Sequence, residues 1–153
     1  MQHRGRLYLQ LGVPASGPLV PPGAVVVRPT GDVRGNGAFA ALPIPSGSLL
    51  CEYEGELLSN QQYRQRYVTG VSDYVMCMDD SWVRDASHLV RDTSCFRAVH
   101  MNHSSRRPNV RRFYKRAERQ VLFFTSRDVE PGEELLFDYG RNYWQGREHM
   151  ELP

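Results

Sequence analysis

Asn102-His103-Ser104 and Phe137-Asp138-Tyr139-Gly140 are the two stretches of this sequence that decide its fold. The first stretch is followed by Pro108-Asn109 and by itself indicates a hydrogen-bonded loop with Asx-type turns. The second stretch follows the apolar pair Leu135-Leu136 and, taken singly, indicates a tyrosine at the end of a core strand. Neither stretch is specific alone, so its meaning depends on the motifs elsewhere in the chain.

Those other motifs form an ordered series along the chain. From the N-terminal side they are Gly35-Asn36-Gly37, Glu52-Tyr53-Glu54-Gly55, Tyr74, Asp85-Ala86, Pro108-Asn109 and Pro131-Gly132-Glu133-Glu134-Leu135. The run that begins at Gly35 matches the dinucleotide-binding fingerprint G-x-G-x-x-A, which requires a helix after it. Pro43 and Pro45 exclude that helix. We therefore predict a tight turn whose glycines supply positive φ or let the backbone approach a ligand closely.

Short apolar runs separated by turn residues predict an α+β domain that is mostly β. Strands are predicted over 24–28, 37–41, 48–58, 74–78, 82–85, 110–114, 121–125 and 135–137, with a strand or arm over 7–11. In the strand over 48–58 the alternation places Tyr53 and Glu54 on opposite sides. The clearest helix covers 60–69, because Ser59 and Gln62 have the spacing of a capping box. Short helices are expected over 95–101 and 141–150.

Length and composition favour one soluble globular domain. The chain has 153 residues, of which 41% are hydrophobic and 24% charged, as is usual for a single compact core. No run approaches the roughly 20 apolar residues that cross a bilayer, so we expect an intracellular protein without a membrane segment. Cys51, Cys77 and Cys95 include no CxxC pair. They predict reduced, buried thiols and neither a disulfide framework nor a metal site.

Taken in order, the motifs resemble the signature of the SET-domain family of protein lysine methyltransferases, from about Val25 to Trp144. The resemblance implies a SET-domain fold of several small curved sheets and few short helices. It also implies a knot-like crossing in which the C-terminal segment passes under a loop near Asn102. The whole chain is then a single SET domain: an N-terminal arm and loop over 1–23, a core over 24–140, and a segment over 141–153 that closes the substrate channel.

The resemblance further implies S-adenosylmethionine as the cofactor and S-adenosylhomocysteine as the product. By likeness, the cofactor-binding residues are Arg34, Gly35, Asn36, Gly37, Asn102, His103 and Tyr139. The glycine turn would hold the methionine end of the cofactor, Asn102 would contact the same end, and the His103 backbone would face the adenine. We interpret the His103 ring as a structural hydrogen-bonding group and not as an acid or base.

Three tyrosines are the candidate catalytic residues. The likeness places the Tyr139 hydroxyl beside the reacting methyl and amine, where an oxygen can accept weak C–H contacts. Tyr53 and Tyr74 are candidates for an aromatic channel around the lysine, with ordinary core packing as the alternative. Phe137 stands where family members carry tyrosine or phenylalanine, and phenylalanine favours di- or trimethylation. Together with Tyr74 and Phe137, Trp144 is expected to shape substrate specificity.

The expected partner is a basic, lysine-containing peptide, with a histone tail as the first candidate and the nucleus as the compartment. An acidic set would attract such a peptide unless it is merely a solvated face: Glu52, Glu54, Glu56, Asp79 and Asp80. The basic residues from Arg106 to Arg119 allow weak nucleic-acid contact, with a solvated hairpin as the alternative. The oligomeric state is not indicated.

One departure from the family pattern affects metal binding. Many members carry a zinc-binding cysteine directly after Asn-His-Ser, whereas this sequence has Ser105 there and no cysteine after Cys95. The resemblance therefore implies a histone lysine methyltransferase without that zinc site. A catalytically silent SET-like module that binds peptides and a methyltransferase of a non-histone protein are the alternatives.

Overall fold

The computed structural model describes residues 20–69 and 72–140. In this part of the chain, ten strands form four small sheets, accompanied by one α-helix and two single 3₁₀ turns. The strands are β1 Val25–Pro29, β2 Asn36–Ala40, β3 Leu49–Glu52, β4 Glu56–Ser59, β5 Val75–Cys77, β6 Trp82–Asp85, β7 Asn102–His103, β8 Val110–Lys115, β9 Gln120–Thr125 and β10 Leu136–Phe137. The helix α1 is Asn60–Arg66, and the 3₁₀ turns are Ala98–His100 and Arg116–Glu118. The prediction of an α+β, mostly β domain is confirmed.

Antiparallel hairpins account for most of the sheet structure. β1 pairs with β2, β5 pairs with β6, and β8 pairs with β9. Two larger sheets have the strand orders β3-β9-β8 and β4-β6-β5. The strands predicted over 74–78, 82–85, 110–114 and 121–125 thus pair as two hairpins, each around a short turn of mostly polar residues.

The single strand predicted over 48–58 is wrong. The chain leaves the sheet of β3 at Glu52 and enters the sheet of β4 at Glu56, so the two halves pair with different strands. At the junction a Cβ on Gly55 would lie 2.9 Å from the backbone carbonyl of Asp85, so only glycine lets the chain pass this close to β6. The opposite orientation of Tyr53 and Glu54 is confirmed, since Tyr53 is buried and Glu54 is exposed.

The helix begins where the capping box predicts. The Ser59 hydroxyl accepts from the Gln62 amide at 3.2 Å, and the Gln62 side chain accepts from the Ser59 amide at 2.8 Å. The helix ends at Arg66, earlier than predicted, and Tyr67 caps it by donating its amide to the Tyr63 carbonyl. The predicted short helix over 95–101 is only the 3₁₀ turn Ala98–His100.

A parallel pair, β7 with β10, joins two segments that are distant in sequence. Leu136 faces Asn102 and Phe137 faces His103. On the other side of β10, the Asn109 side chain accepts from the Leu136 amide at 2.8 Å and donates to the Glu134 carbonyl at 2.9 Å. β10 is therefore bonded at both ends of the loop 104–109, as the implied crossing of the C-terminal segment requires.

The core lies where the sheets meet. Its fully buried side chains come from several strands and the segments beside them: Ala38, Met78, Met101, Val121, Phe123 and Leu135. The prediction of buried thiols is wrong for Cys77 and Cys95, which are exposed because each lies in a strand or turn that faces solvent. Cys51 is half-buried, and burial raises the pKa of its thiol.

Several expectations fall on residues that the structure does not describe. The arm over 7–11, the helix over 141–150, Trp144 and the channel-closing segment all lie outside the described residues. Within the described residues, no helix has the length and apolar character needed to span a membrane.

Asp85 is the buried charge that ties α1 to the sheet of β4. Its carboxylate accepts from the Tyr67 hydroxyl, from the Ser87 amide at 3.0 Å and from Arg66 at 3.2 Å. Burial would raise the pKa of Asp85, but these hydrogen bonds outweigh it, so the pKa lies below its ordinary value. The ionised form of Asp85 therefore stabilises the fold.

We expect Asp85→Asn to lower the free energy of unfolding by about 1–3 kcal/mol at pH 7, the usual cost of losing charged hydrogen bonds. Because the folded pKa is depressed, this stabilisation is present above the unfolded value of about 3.9 and is lost as pH falls through the folded pKa. Urea unfolding at pH 7 and pH 3 measures the difference in the free energy of unfolding between wild type and variant. The gap between wild type and variant should shrink at pH 3, and an unchanged gap would contradict the role of the charge. Exposed Asp80→Asn is the control.

Candidate active site

One cluster of the site forms around the glycine turn before β2. The Asn102 side-chain amide donates to the Asn36 carbonyl at 2.9 Å and to Glu134 Oε2 at 2.9 Å. A Cβ on Gly37 would lie 2.6 Å from Glu134 Oε2 and 3.1 Å from Asn102 Nδ2, so a larger residue at 37 would push these side chains apart. Asn102 and Gly35-Asn36-Gly37, predicted to act together, are thus in direct contact.

Arg34 and Glu134 add opposite charges to this cluster. The Arg34 guanidinium lies 3.0 Å from Glu134 Oε1, and it also pairs with Asp32 at 2.8 Å. The Arg34 guanidinium holds the pKa of Asp32 well below its usual range. Only 12% of the Glu134 side chain is exposed. The sequence reasoning missed Glu134, because its partners Arg34 and Asn102 are distant from it in sequence.

A second cluster forms around Tyr139. Its hydroxyl donates to the Met101 carbonyl at 2.6 Å, and its amide donates to His103 Nδ1 at 2.9 Å. The rings of His103 and Tyr139 meet edge to face, 5.2 Å apart. Since Met101, Asn102 and His103 are consecutive, the two clusters stand on neighbouring residues of one segment.

The buried His103 ring has a structural partner. Because Nδ1 accepts from the Tyr139 amide, the proton of the neutral ring is on Nε2. The His103 side chain is only 4% exposed, and its ring holds the backbone of the segment that carries Tyr139. This bond gives the imidazole a positioning task, in line with our interpretation of it from sequence.

Aromatic rings extend inward from Tyr139 in a row. Phe137 lies 4.7 Å from Tyr139, Phe123 lies 5.0 Å from Phe137, and Tyr53 lies 6.4 Å from Phe123. The predicted residues Tyr53, Phe137 and Tyr139 therefore belong to one apolar region. Tyr74, just before β5, is 37% exposed and makes no ring contact with this row among the described residues.

Arg112 on β8 also reaches Tyr139, and the sequence reasoning missed it. Its Nη2 donates to the Tyr139 carbonyl at 3.0 Å, and its Nη1 lies 3.6 Å from the sulfur of Met76. In sequence Arg112 is one of several basic residues on a hairpin, so nothing distinguished it from its neighbours.

Most of the acidic residues predicted to attract a basic peptide have partners within the protein. Glu54 pairs with Arg97 at 3.0 Å, Glu56 pairs with Arg66 at 2.7 Å, and Glu52 accepts from Gln120 at 3.0 Å. Asp79 accepts from the amides of the following turn, and Asp80 is exposed at the same turn. These contacts favour the structural interpretation of the set.

Several of the basic residues between Arg106 and Arg119 also have partners within the protein. Arg116 stacks on Tyr114 at 5.8 Å, Arg119 stacks on Trp82 at 4.3 Å, and Lys115 lies 3.9 Å from Glu118. Arg116 and Lys115 thus contact their own hairpin and Arg119 contacts β6, while Arg106 and Arg111 are exposed. Nucleic-acid contact through this region stays a prediction. As to metals, the part of the chain that the structure describes contains no group of three or more His, Cys, Asp or Glu side chains placed to hold one.

The Tyr139 hydroxyl defines what the site can do chemically. Its proton is donated to the Met101 carbonyl, so its lone pairs are directed away from that bond. An oxygen held in this way can accept weak hydrogen bonds from electron-poor C–H groups and can orient an amine. The described residues thus place a polar cluster with both charge signs beside an apolar aromatic row that ends in a fixed hydroxyl.

Comparison with known proteins gives the family. The SET domain family model matches residues 35–140, which is more than half of the chain. The protein belongs to the SET domain family. Human histone-lysine N-methyltransferase EHMT1 is 30% identical over 122 residues, which is 72% of this chain and 9% of EHMT1. The curated relatives are matched over only 5% to 26% of their own length.

Solved structures agree with the fold. The Chaetomium thermophilum polycomb repressive complex 2 (PRC2) aligns with a TM-score of 0.62 and 27% identity, covering 78% of this chain and 15% of that one. KRYPTONITE, solved with mCHH DNA, an H3(1-15) peptide and SAH, aligns with a TM-score of 0.59 and 23% identity, covering 76% of this chain and 23% of that one. The expected SET-domain fold is thus confirmed.

We expect Glu134→Gln to lower the free energy of unfolding by about 1–3 kcal/mol, because the glutamine amide would point hydrogen-bond donors at the donors of Arg34 and Asn102. Urea unfolding measures this change. Glu130→Gln, at an exposed position of the same turn, should change it by less than about 0.5 kcal/mol. Equal effects of the two substitutions would show that Glu134 does not hold the cluster together.

Proposed function

We propose that the protein is an S-adenosylmethionine-dependent protein lysine N-methyltransferase that acts on a histone lysine and releases S-adenosylhomocysteine. The single observation that carries the proposal is the Tyr139 hydroxyl, fixed on Met101 next to the cluster of Asn102, Gly37 and Glu134. Membership of the SET domain family and the similarity to EHMT1, a histone-lysine N-methyltransferase, support the same reaction.

The cluster around the glycine turn suits the amino-acid end of the cofactor. That end carries a carboxylate and an ammonium. Arg34 offers a positive charge for the carboxylate, and Glu134 offers a negative charge for the ammonium. Gly35 adopts φ +79° and has no heavy atom within 4 Å of the position that a Cβ would take. A ligand can therefore approach the backbone closely at this turn. Asn102 and the His103 backbone complete the proposed cofactor site.

S-adenosylmethionine supplies an electrophilic methyl group when bound. The residues of this chain would align the acceptor amine in line with it, at about 3 Å, and keep water out. The Tyr139 hydroxyl, whose proton is directed to Met101, would offer its lone pairs to the methyl hydrogens and to the amine. Positioning and preorganised polar groups would supply most of the rate gain.

The acceptor lysine must enter neutral, because an ammonium has no lone pair for the attack. Its ordinary pKa is about 10.4, and an apolar environment lowers it by disfavouring the charged form. The row of Tyr139, Phe137, Phe123 and Tyr53 offers such an environment. Tyr74 and Trp144 remain proposed contributors at the channel mouth.

A histone tail is the proposed substrate and chromatin in the nucleus the proposed location. EHMT1 is a histone-lysine N-methyltransferase, and KRYPTONITE, which shares the fold, was solved with an H3 peptide. A non-histone lysine would use the same channel. The substrate arm of the experiment below therefore includes total protein extract beside core histones.

Replacement of Tyr139 by phenylalanine tests the reaction. We expect Tyr139→Phe to lower the rate of methyl transfer by about 100-fold or more, since one preorganised polar group at the reacting atoms is lost. The measurement is labelling of core histones and of total extract with radioactive S-adenosylmethionine. Tyr63→Phe, a matched change on α1, should keep the wild-type rate.

Calorimetry with S-adenosylmethionine separates the outcomes of this experiment. Tyr139→Phe should still bind the cofactor, because phenylalanine keeps the aromatic ring and the affinity for the cofactor is proposed to depend mainly on the glycine turn and Asn102. Wild-type protein that binds histone peptides but labels nothing would identify a catalytically silent module and refute the proposed function. No binding of the cofactor would refute it as well.

Phe137 should set the number of methyl groups added. We expect mass spectrometry of the wild-type product to show di- or trimethyllysine, since Phe137, whose ring lies 4.7 Å from that of Tyr139, has no hydroxyl to hold a water beside it. Phe137→Tyr should shift the product towards monomethyllysine, because an added hydroxyl, or the water it binds, would occupy that space. A wild-type product that stops at one methyl would show that this assignment is wrong.

A further inference from the structure

Arg112 is a half-buried cation at the Tyr139 cluster. It lies on β8, opposite Phe123 of β9. Its guanidinium carbon is 5.7 Å from the centre of the Phe137 ring and 5.6 Å from that of Tyr114. It therefore contacts the same aromatic row that ends at Tyr139.

The hydrogen bonds of Arg112 go to the backbone and to sulfur. Nη2 donates to the Tyr139 carbonyl at 3.0 Å, and Nη1 lies 3.6 Å from the Met76 sulfur. Among the described residues no carboxylate pairs with this guanidinium, whereas Arg34, Arg66 and Arg97 all have such partners. A half-buried cation costs desolvation energy when no anion compensates it, so this arrangement is not explained by stability alone.

Gly140 makes the contact possible. A Cβ at this position would lie 2.9 Å from Arg112 Nη2, and the residue adopts φ +87°. Any other side chain at 140 would be strained and would displace the guanidinium from the Tyr139 carbonyl. The last glycine of the Phe137-Asp138-Tyr139-Gly140 stretch therefore serves the approach of Arg112.

Tyr139 is thus held from two directions. On the β7 side, His103 accepts its amide and Met101 accepts its hydroxyl. On the β8 side, Arg112 binds its carbonyl and joins it to the three-stranded sheet. Loss of the Arg112 bond would remove the link between the Tyr139 carbonyl and β8, and would weaken the hold on the direction of the phenol ring.

We propose that Arg112 is a positioning residue for methyl transfer, which fixes the Tyr139 backbone so that the hydroxyl stays aligned with the acceptor amine. The inference rests on the proposed function and adds a residue to it. Misplacement of a reacting group by about 1 Å costs up to about 100-fold in rate. The effect should fall on kcat, because the hydrogen bonds of Arg112 within the described residues go to Tyr139 and Met76, and not to the glycine turn or Asn102.

The test compares Arg112→Met, Arg112→Lys and Arg111→Met in the full chain. Arg111 is the exposed neighbour on β8, so its change removes the same charge from the same strand. We expect Arg112→Met to lower kcat by about 10- to 100-fold with an unchanged KM for S-adenosylmethionine. Arg112→Lys, which keeps a donor for the carbonyl, should recover most of the rate, and Arg111→Met should match wild type.

Thermal unfolding and calorimetric cofactor binding show whether each variant is folded. A folded Arg112→Met with the wild-type kcat would overturn the inference while the proposed function stands. An Arg112→Lys variant as slow as Arg112→Met would also overturn it, because a donor to the carbonyl would then have no effect. If wild-type protein transfers no methyl group, the proposed function fails and this inference fails with it.

Discussion

The parallel pairing of Leu136–Phe137 with Asn102–His103 is the constraint on which the rest of the site depends. It is only two residues long, and hydrogen bonds on its far side complete it, since the buried Asn109 amide binds both the Glu134 carbonyl and the Leu136 amide. The buried Asn109 side chain allows only one register of β10 against β7, because any shift would leave its polar atoms and the backbone of β10 without hydrogen-bond partners. The strand β10 is thereby held beside the loop 104–109.

This pairing explains why two clusters of different chemistry are neighbours. Asn102 points its amide to the glycine turn, while the adjacent His103 and Met101 hold Tyr139. Residues next to each other in an extended strand face opposite sides, so one short strand can serve both clusters. The distance between the cluster around the glycine turn, where the cofactor is proposed to bind, and the cluster around Tyr139, where the lysine is proposed to react, is therefore set by backbone geometry. Side chains have little freedom to change this distance.

The sequence predicted those elements that have a local signal. Two short apolar runs on either side of a charged turn identified the strands β8 and β9, and a capping box identified the start of α1. β7 has no such signal, because two residues carry no period and their partner is distant in sequence. The break at Gly55 was missed because alternation continues through it, and the reason for the break is the approach of another strand. Arg112 and Glu134 were missed because their partners are visible only in three dimensions.

The distribution of charge follows from the same geometry and bears on the proposed chemistry. At the glycine turn, Arg34 and Glu134 neutralise each other, so a ligand that carries both signs can exchange partners there without leaving a charge unpaired. At the Tyr139 carbonyl, Arg112 is a cation without a carboxylate among the described residues. A positive charge beside an apolar row disfavours the ammonium form of an amine that enters it. Methyl transfer needs that amine to be neutral. The Arg112 charge, which costs desolvation energy in the folded protein, would therefore favour the reactive form of the substrate lysine.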